Sequence, residues 1–402
     1  MATAEPPVLP FDPSQYQRYQ SWSVIIGGAG LALCVAGWWW NPATFVRSYL
    51  WAYLFWLGVA LGGLALGLLP WLTGGIWGLV LRRWFEAAAR TLPILAVLFL
   101  PLAFGMRHQY VWTDREYVAA DHALQFKTAW YLNEPFWAVR AVVYFVIWIG
   151  LAYAMTALSI RQDRPDAPEP RALRGLSAAG LILYALTITL ASVDWVMSLE
   201  PKWFSSIFGA LFGMGQVVTA WSFAVLGVLL LHDRPPLPAL LGRPLLRDFG
   251  SLLLAFLMVW AYVAFSQFLL IWSGNLPEEV AYYQRRSQGG WEYVAGAIAL
   301  FHFAVPFVLL LSGQIKRDRA SLLRVVILLL VMRMVDLYWQ IVPAPRPTAT
   351  SQDGVYFQFS WTDVVAPVGI GGVWLWFFLW NLQQRRLVPA YDPHLQEAYH
   401  HE

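Results

Sequence analysis

Residues 49–71 read YLWAYLFWLGVALGGLALGLLPW, without one charged side chain. A helix needs about 20 apolar residues, at 1.5 Å rise each, to cross the hydrocarbon of a bilayer. Water is absent there, so such a run must satisfy its own backbone as a helix. Nine further runs share this character: 22–40, 90–106, 135–157, 175–195, 204–231, 249–273, 291–312, 320–341 and 364–383. The run at 90–106 is the shortest and holds Pro93 and Pro101, which predicts a kinked helix. The expected fold is an all-α polytopic membrane protein of about ten transmembrane helices.

Composition agrees. Of 402 residues, 59% are hydrophobic and only 13% charged, against about 25% charged in a soluble protein. That excludes an ordinary soluble enzyme, a disordered chain and a nucleic-acid binder. A net charge of +3 is too small to imply an acidic partner. The one cysteine, Cys34, excludes a disulfide framework, a cysteine-ligated iron–sulfur cluster and haem attachment through C-x-x-C-H.

Residues 1–20 lack a basic stretch and a small-residue cleavage site, and read as a polar tail rather than a signal peptide. Lysine and arginine on alternate sides set the orientation. The tails and the loops near 72–90, 158–174, 232–248 and 313–324 hold 17; the other five loops hold 8. Both termini are therefore expected in the cytoplasm. The long loops 107–134, 274–290 and 342–363 fall on the far side and mix aromatic and charged residues. They are either solvated loops or a docking surface, since Tyr, Trp and Arg are enriched at interfaces.

The second and sixth runs both open with aromatics and then place small residues four apart: Gly58 and Gly62, Gly63 and Gly67, Gly209 and Gly213. That spacing permits close helix approach in lipid. The fifth and ninth runs each end with an acid and a tryptophan, Asp194-Trp195 and Asp336 to Trp339. The third and seventh each start beside an acid, Glu86 and Asp248. Two four-helix units in parallel orientation follow as an expectation. The divisions are a tail at 1–21, a first helix and loop at 22–48, bundles at 49–203 and 204–341, and an outer loop, last helix and tail at 342–402.

A charge at mid-bilayer costs about 2.5–3.5 kcal/mol on insertion scales, so each one calls for a partner or a role. Asp194, Arg140, Arg333 and Asp336 lie in outer helix halves, and His302 lies near a helix centre. Gln216, Ser266 and Gln267 add polar groups. Two readings stand. In one, Asp194, Asp336, His302, Arg140, Arg333, Glu86 and Asp248 line interrupted polar paths for protons. In the other, Arg140 pairs with Asp194 and Arg333 with Asp336 to fix helix register, while Glu86 and Asp248 suit a helix N-terminus. Bis-histidine haem, a retinal lysine and a Walker A nucleotide site find no matching residues, and Asp248-Phe249-Gly250 is a chance DFG.

Three stretches carry a resemblance: 49–93, 194–209 (DWVMSLEPKWFSSIFG) and 248–291, the last including FSQFLLIWSGNLPEE. They resemble the NrfD-like, polysulphide-reductase-type membrane subunits. The closest likeness is to the F subunit, the smaller of two such subunits, of bacterial alternative complex III. The resemblance implies a complex of the bacterial cytoplasmic membrane that oxidises quinol and passes electrons to a periplasmic acceptor. It implies partners: a larger NrfD-like paralogue, an iron–sulfur subunit and multihaem cytochrome c subunits. Haem and iron–sulfur centres then sit in those partners and none in this chain, and quinone belongs chiefly to the larger paralogue. The seven residues above become the proton path, in a chain not catalytic alone. A secondary transporter and a passive anchor subunit are the competing expectations.

Overall fold

The computed structural model describes residues 14–164, 169–234, 237–347 and 356–384. Among them every regular element is helical. Ten long helices follow in order: α1 (Ser14–Trp40), α2 (Pro42–Leu68), α3 (Ile76–Phe104), α4 (Glu134–Arg161) and α5 (Arg171–Trp195), then α6 (Phe208–Leu230), α7 (Arg243–Gly274), α8 (Trp291–Leu311), α9 (Arg319–Ile341) and α10 (Thr362–Gln383). Among the described residues nine are long and apolar enough to cross a membrane. The tenth, α9, has 23 residues, about 35 Å at 1.5 Å each. It is long enough, but Arg319, Arg324, Arg333 and Asp336 dilute its apolar character. The chain is a multi-pass membrane protein. Loops 105–133, 196–207 and 275–290 and residues 342–347 and 356–361 lie at one end, called here the loop end; α1 begins at the other.

Sequence chemistry sets the helix boundaries. Asn41 accepts the Thr44 amide at 3.0 Å and Pro42 opens α2, a capping residue followed by a proline with no amide to lose. The prolines of α3 break it into Ile76–Ala89, Leu92–Leu98 and Leu100–Phe104. The breaks free the carbonyls of Leu95 and Leu98, which accept the hydroxyls of Tyr53 (2.9 Å) and Tyr49 (2.8 Å). Two tyrosines one turn apart on α2 thus supply the bonds the lipid cannot.

Packing repeats. α2 packs on α3 and α5, α3 on α4, and α4 on α5; likewise α6 packs on α7 and α9, α7 on α8, and α8 on α9. The two sets meet along α2 and α6, with α5 against α6 and α9 against α2. A parallel repeat of four helices would give this neighbour pattern. At the centre, a Cβ on Gly62 would fall 2.2 Å from the Gln216 carbonyl oxygen, so glycine there lets α2 and α6 touch. α1 and α10 form a separate pair at the flank, in backbone contact at Gly30 and Gly369. Burial grades from the centre outward: 89% of the apolar window of α2 is buried but only 22% of that of α8.

Several expectations need correction. Residues 76–89 are helix rather than loop, and Arg82, Arg83 and Glu86 are buried within it. Glu86 is therefore not in a first turn, and these two arginines do not count toward a loop charge. Asp248 is not in the first turn of α7 either; it is exposed, one turn further in. The first helix starts by residue 14, inside the expected tail of 1–21. Residues 1–13 of that tail and 385–402 of the other lie outside the described residues.

Candidate functional site

Helix spacing places Arg333, Asp336 and Gln340 on one face of α9, three and four residues apart. Arg333 Nη1 pairs with Asp336 Oδ2, and Gln340 Nε2 donates to the same oxygen at 3.0 Å. Arg333 Nε points to Thr219 Oγ1 on α6 at 3.4 Å. The guanidinium lies against Gly215, where a Cβ would come within 2.3 Å of Nη2. Next to it, Gln216 Oε1 accepts the Tyr184 hydroxyl from α5 at 2.9 Å. Gln216, Thr219 and Ser222 continue as a polar stripe, three residues apart along α6. A Gly215→Ala chain should keep its helices in place, because the clashing atom ends a flexible side chain, but lose the Arg333–Asp336 geometry. A thermal-melt cost of roughly 1–3 kcal/mol is expected, the usual range for overpacking.

His302 completes the group. It is fully buried at mid-depth in α8, within electrostatic reach of Arg333, and its ring lies 4.1 Å from that of Trp260. It sits in Ile298–Ala304, a π-helical turn, a geometry that recurs at functional sites. Neither ring nitrogen has a partner among the described residues. Gln216 Nε2, Ser222 Oγ, Trp260 Nε1 and Gln340 Oε1 are also buried without one. Each buried orphan costs about 1–3 kcal/mol, and internal water is the usual remedy. This region can therefore hold protonatable groups joined by water.

The first unit differs. Asp194 is fully buried on α5 and takes Arg140 on both oxygens at 2.8 Å, plus the Tyr144 hydroxyl at 2.7 Å, both from α4. Arg140 gives its remaining Nη1 to the Tyr131 carbonyl at 3.0 Å and lies between the rings of Tyr131 (3.9 Å) and Phe136 (4.3 Å). This carboxylate is matched on every side. Glu86 belongs to a third cluster, paired at 2.6 Å with Arg83, which also holds Asp163 at the end of α4. Asp248 joins none of these groups and faces outward.

Three buried charges at the loop end escaped sequence reasoning. Arg286 pairs with Glu200 at 2.7 Å and donates to the carbonyls of Trp339 (3.1 Å) and Gln340 (2.7 Å). Arg47, 1% exposed, donates to those of Ile341 (2.9 Å), Ala344 (2.7 Å) and Pro345 (3.1 Å). Both arginines thus meet the negative end of the α9 dipole and hold the helix that carries Asp336. The available signal was an arginine pair after Tyr282-Tyr283, and Glu200 within DWVMSLEP. Those two stretches interlock: Trp203 stacks on Tyr282 at 4.1 Å, and Ser205 donates to Gln267 at 3.0 Å.

Among the described residues no three His, Cys, Asp or Glu side chains converge as metal ligands. No family model matches the chain, and no curated protein matches it.

Proposed function

We propose that this chain is a non-redox integral subunit of a quinol-oxidising complex of the alternative complex III type. It spans the bacterial cytoplasmic membrane with both termini inside. Its partners are a larger NrfD-like paralogue, an iron–sulfur subunit and multihaem cytochrome c subunits, which carry the electrons. Its own task is proton conduction through the second four-helix unit. The supporting observation is the unpartnered, fully buried imidazole of His302 beside the Arg333–Asp336 pair and the polar stripe of α6. A group that must take and give up a proton needs an open lone pair and a mobile partner, which a saturated site lacks. The membrane assignment and the interlocked stretches at the loop end suit the rest of the reading.

The saturated Asp194 site favours a second reading for the first unit, where the Arg140–Asp194 pair acts only as an anchor.

His302→Phe in the intact complex separates the roles. Removing an unpaired polar ring from the core in favour of an apolar one of similar shape is neutral or stabilising. Thermal stability should hold or rise. Proton uptake by quinol-driven proteoliposomes should fall by on the order of 10²-fold, the lower range for a positioned acid–base group. Unaltered proton uptake per electron would leave only the anchor role. Copurification of haem- and iron–sulfur-bearing polypeptides with the chain tests the complex itself; a stable lone protein would sink that assignment.

A further inference from the structure

We infer that the short helix His122–Trp130, in loop 105–133, lies in the headgroup–acyl boundary of the membrane, with its Phe126, Ala129 and Trp130 face covered by lipid. This rests on the membrane-spanning fold and not on the proton-handling role.

The helix is nine residues long and two-sided. One side is tied to the protein: Leu124 is buried, and Lys127 Nζ donates to the Pro201 carbonyl at 2.8 Å. Asp121 caps the helix through the Ala123 (2.9 Å) and Leu124 (3.2 Å) amides and pairs with Lys202 at 2.7 Å. That Lys202 hydrogen bond, together with the cap, holds the Asp121 carboxyl below its ordinary range. The other side has no cover among the described residues: Phe126 is 69% and Trp130 74% exposed, with Ala129 between them.

Continuity identifies the occupant. Four residues after Trp130 the chain becomes α4, whose exposed stripe runs Phe136, Val139, Val142 and Val146. A membrane span presents such a stripe to lipid, and Phe126 and Trp130 extend it at the depth where aromatic side chains collect. Phe204, also exposed, adjoins through Lys127, whose ammonium lies 6.0 Å from its ring. Phe126, Ala129 and Trp130 on one face, with His122 beside them in the first turn, and the tethered Lys127 and buried Leu124 on the other suit an interfacial helix sunk about 5–10 Å into the boundary.

Cys34 is the chain's one cysteine and is buried. Replacing it with Ala allows single spin labels at Phe126→Cys, Ala129→Cys and, as a reference, the exposed Glu278→Cys. The full chain is reconstituted in phosphatidylcholine–phosphatidylglycerol vesicles and relaxation by oxygen is compared with relaxation by an aqueous nickel chelate. Labels at 126 and 129 should favour oxygen several-fold over the label at 278. Nickel access equal to that at 278 would place the helix in water and overturn the assignment. Protection from both reagents would mean a protein cover, another subunit or a second copy, and would overturn it equally. Position 129 carries the result if the Phe126 variant fails to fold.

Discussion

Gly62→Ala is expected to break the seam between the two helical units. The new methyl would lie 2.2 Å from the Gln216 carbonyl oxygen, 2.7 Å from its carbon and 2.7 Å from the Ala220 Cβ. Two of these atoms are main chain, so no rotamer change relieves the clash; α2 and α6 must part. Overpacking a core usually costs about 1–3 kcal/mol, and a backbone collision along the central helix pair should exceed that range. The readout is loss of the monodisperse species in detergent gel filtration, with a large fall in melting temperature. Gly28→Ala supplies the control. Its Cβ meets nothing within 4 Å, so it should be neutral or gain up to about 1 kcal/mol from helix propensity. Equal stability in the two variants would show that α2 and α6 are not in backbone contact.

Asp194→Asn is expected to cost about 3–5 kcal/mol, the usual loss when one member of a buried ion pair is removed. Arg140 would keep its charge, 8% exposed, with one neutral amide oxygen in place of the carboxylate beside the Tyr131 carbonyl and two aromatic faces. The decisive companion is the triple variant Arg140→Leu/Tyr144→Phe/Asp194→Leu. Replacing a whole buried pair by apolar residues is often neutral or stabilising. Most of the lost stability should return, and proton uptake in the intact complex should match the parent. A triple variant that is stable but no longer moves protons would make Asp194 a conducting group. The contrast with His302→Phe is the point: one site should lose stability and keep conduction, and the other the reverse.

These outcomes were only partly legible in the sequence. The kink of α3 could be read from Pro93 and Pro101, because proline removes an amide whatever surrounds it. That Tyr49 and Tyr53 bond the freed carbonyls could not, since nothing local links residue 53 to residue 95. The ion pairs of Arg140 with Asp194 and Arg333 with Asp336 were foreseen from shared depth and spacing, and both are present. Glu86 was misread for a definite reason. Hydropathy treats Arg82, Arg83 and Glu86 as solvated, but Glu86 and Asp163, just past the end of α4, both pair with Arg83. A charged stretch with an internal partner then looks like a loop. The burial of Arg47 and Arg286 escaped notice for the same reason; their partners are mainly carbonyls at the end of α9, a helix remote in sequence.

The residues alone determined the class of fold, because a bilayer leaves a long apolar run no alternative to the helix, and a hydrogen bond to the residue four back needs no distant partner. They also supplied the depth of Arg140, Asp194, His302, Arg333 and Asp336, which lie inside the long apolar runs. Tertiary structure alone decided which of those groups are spent. Whether a buried carboxylate is saturated, as Asp194 is, or an imidazole left open, as His302 is, depends on atoms from other helices. Away from bulk water, a buried group is satisfied only by those atoms or by internal water that they leave room for.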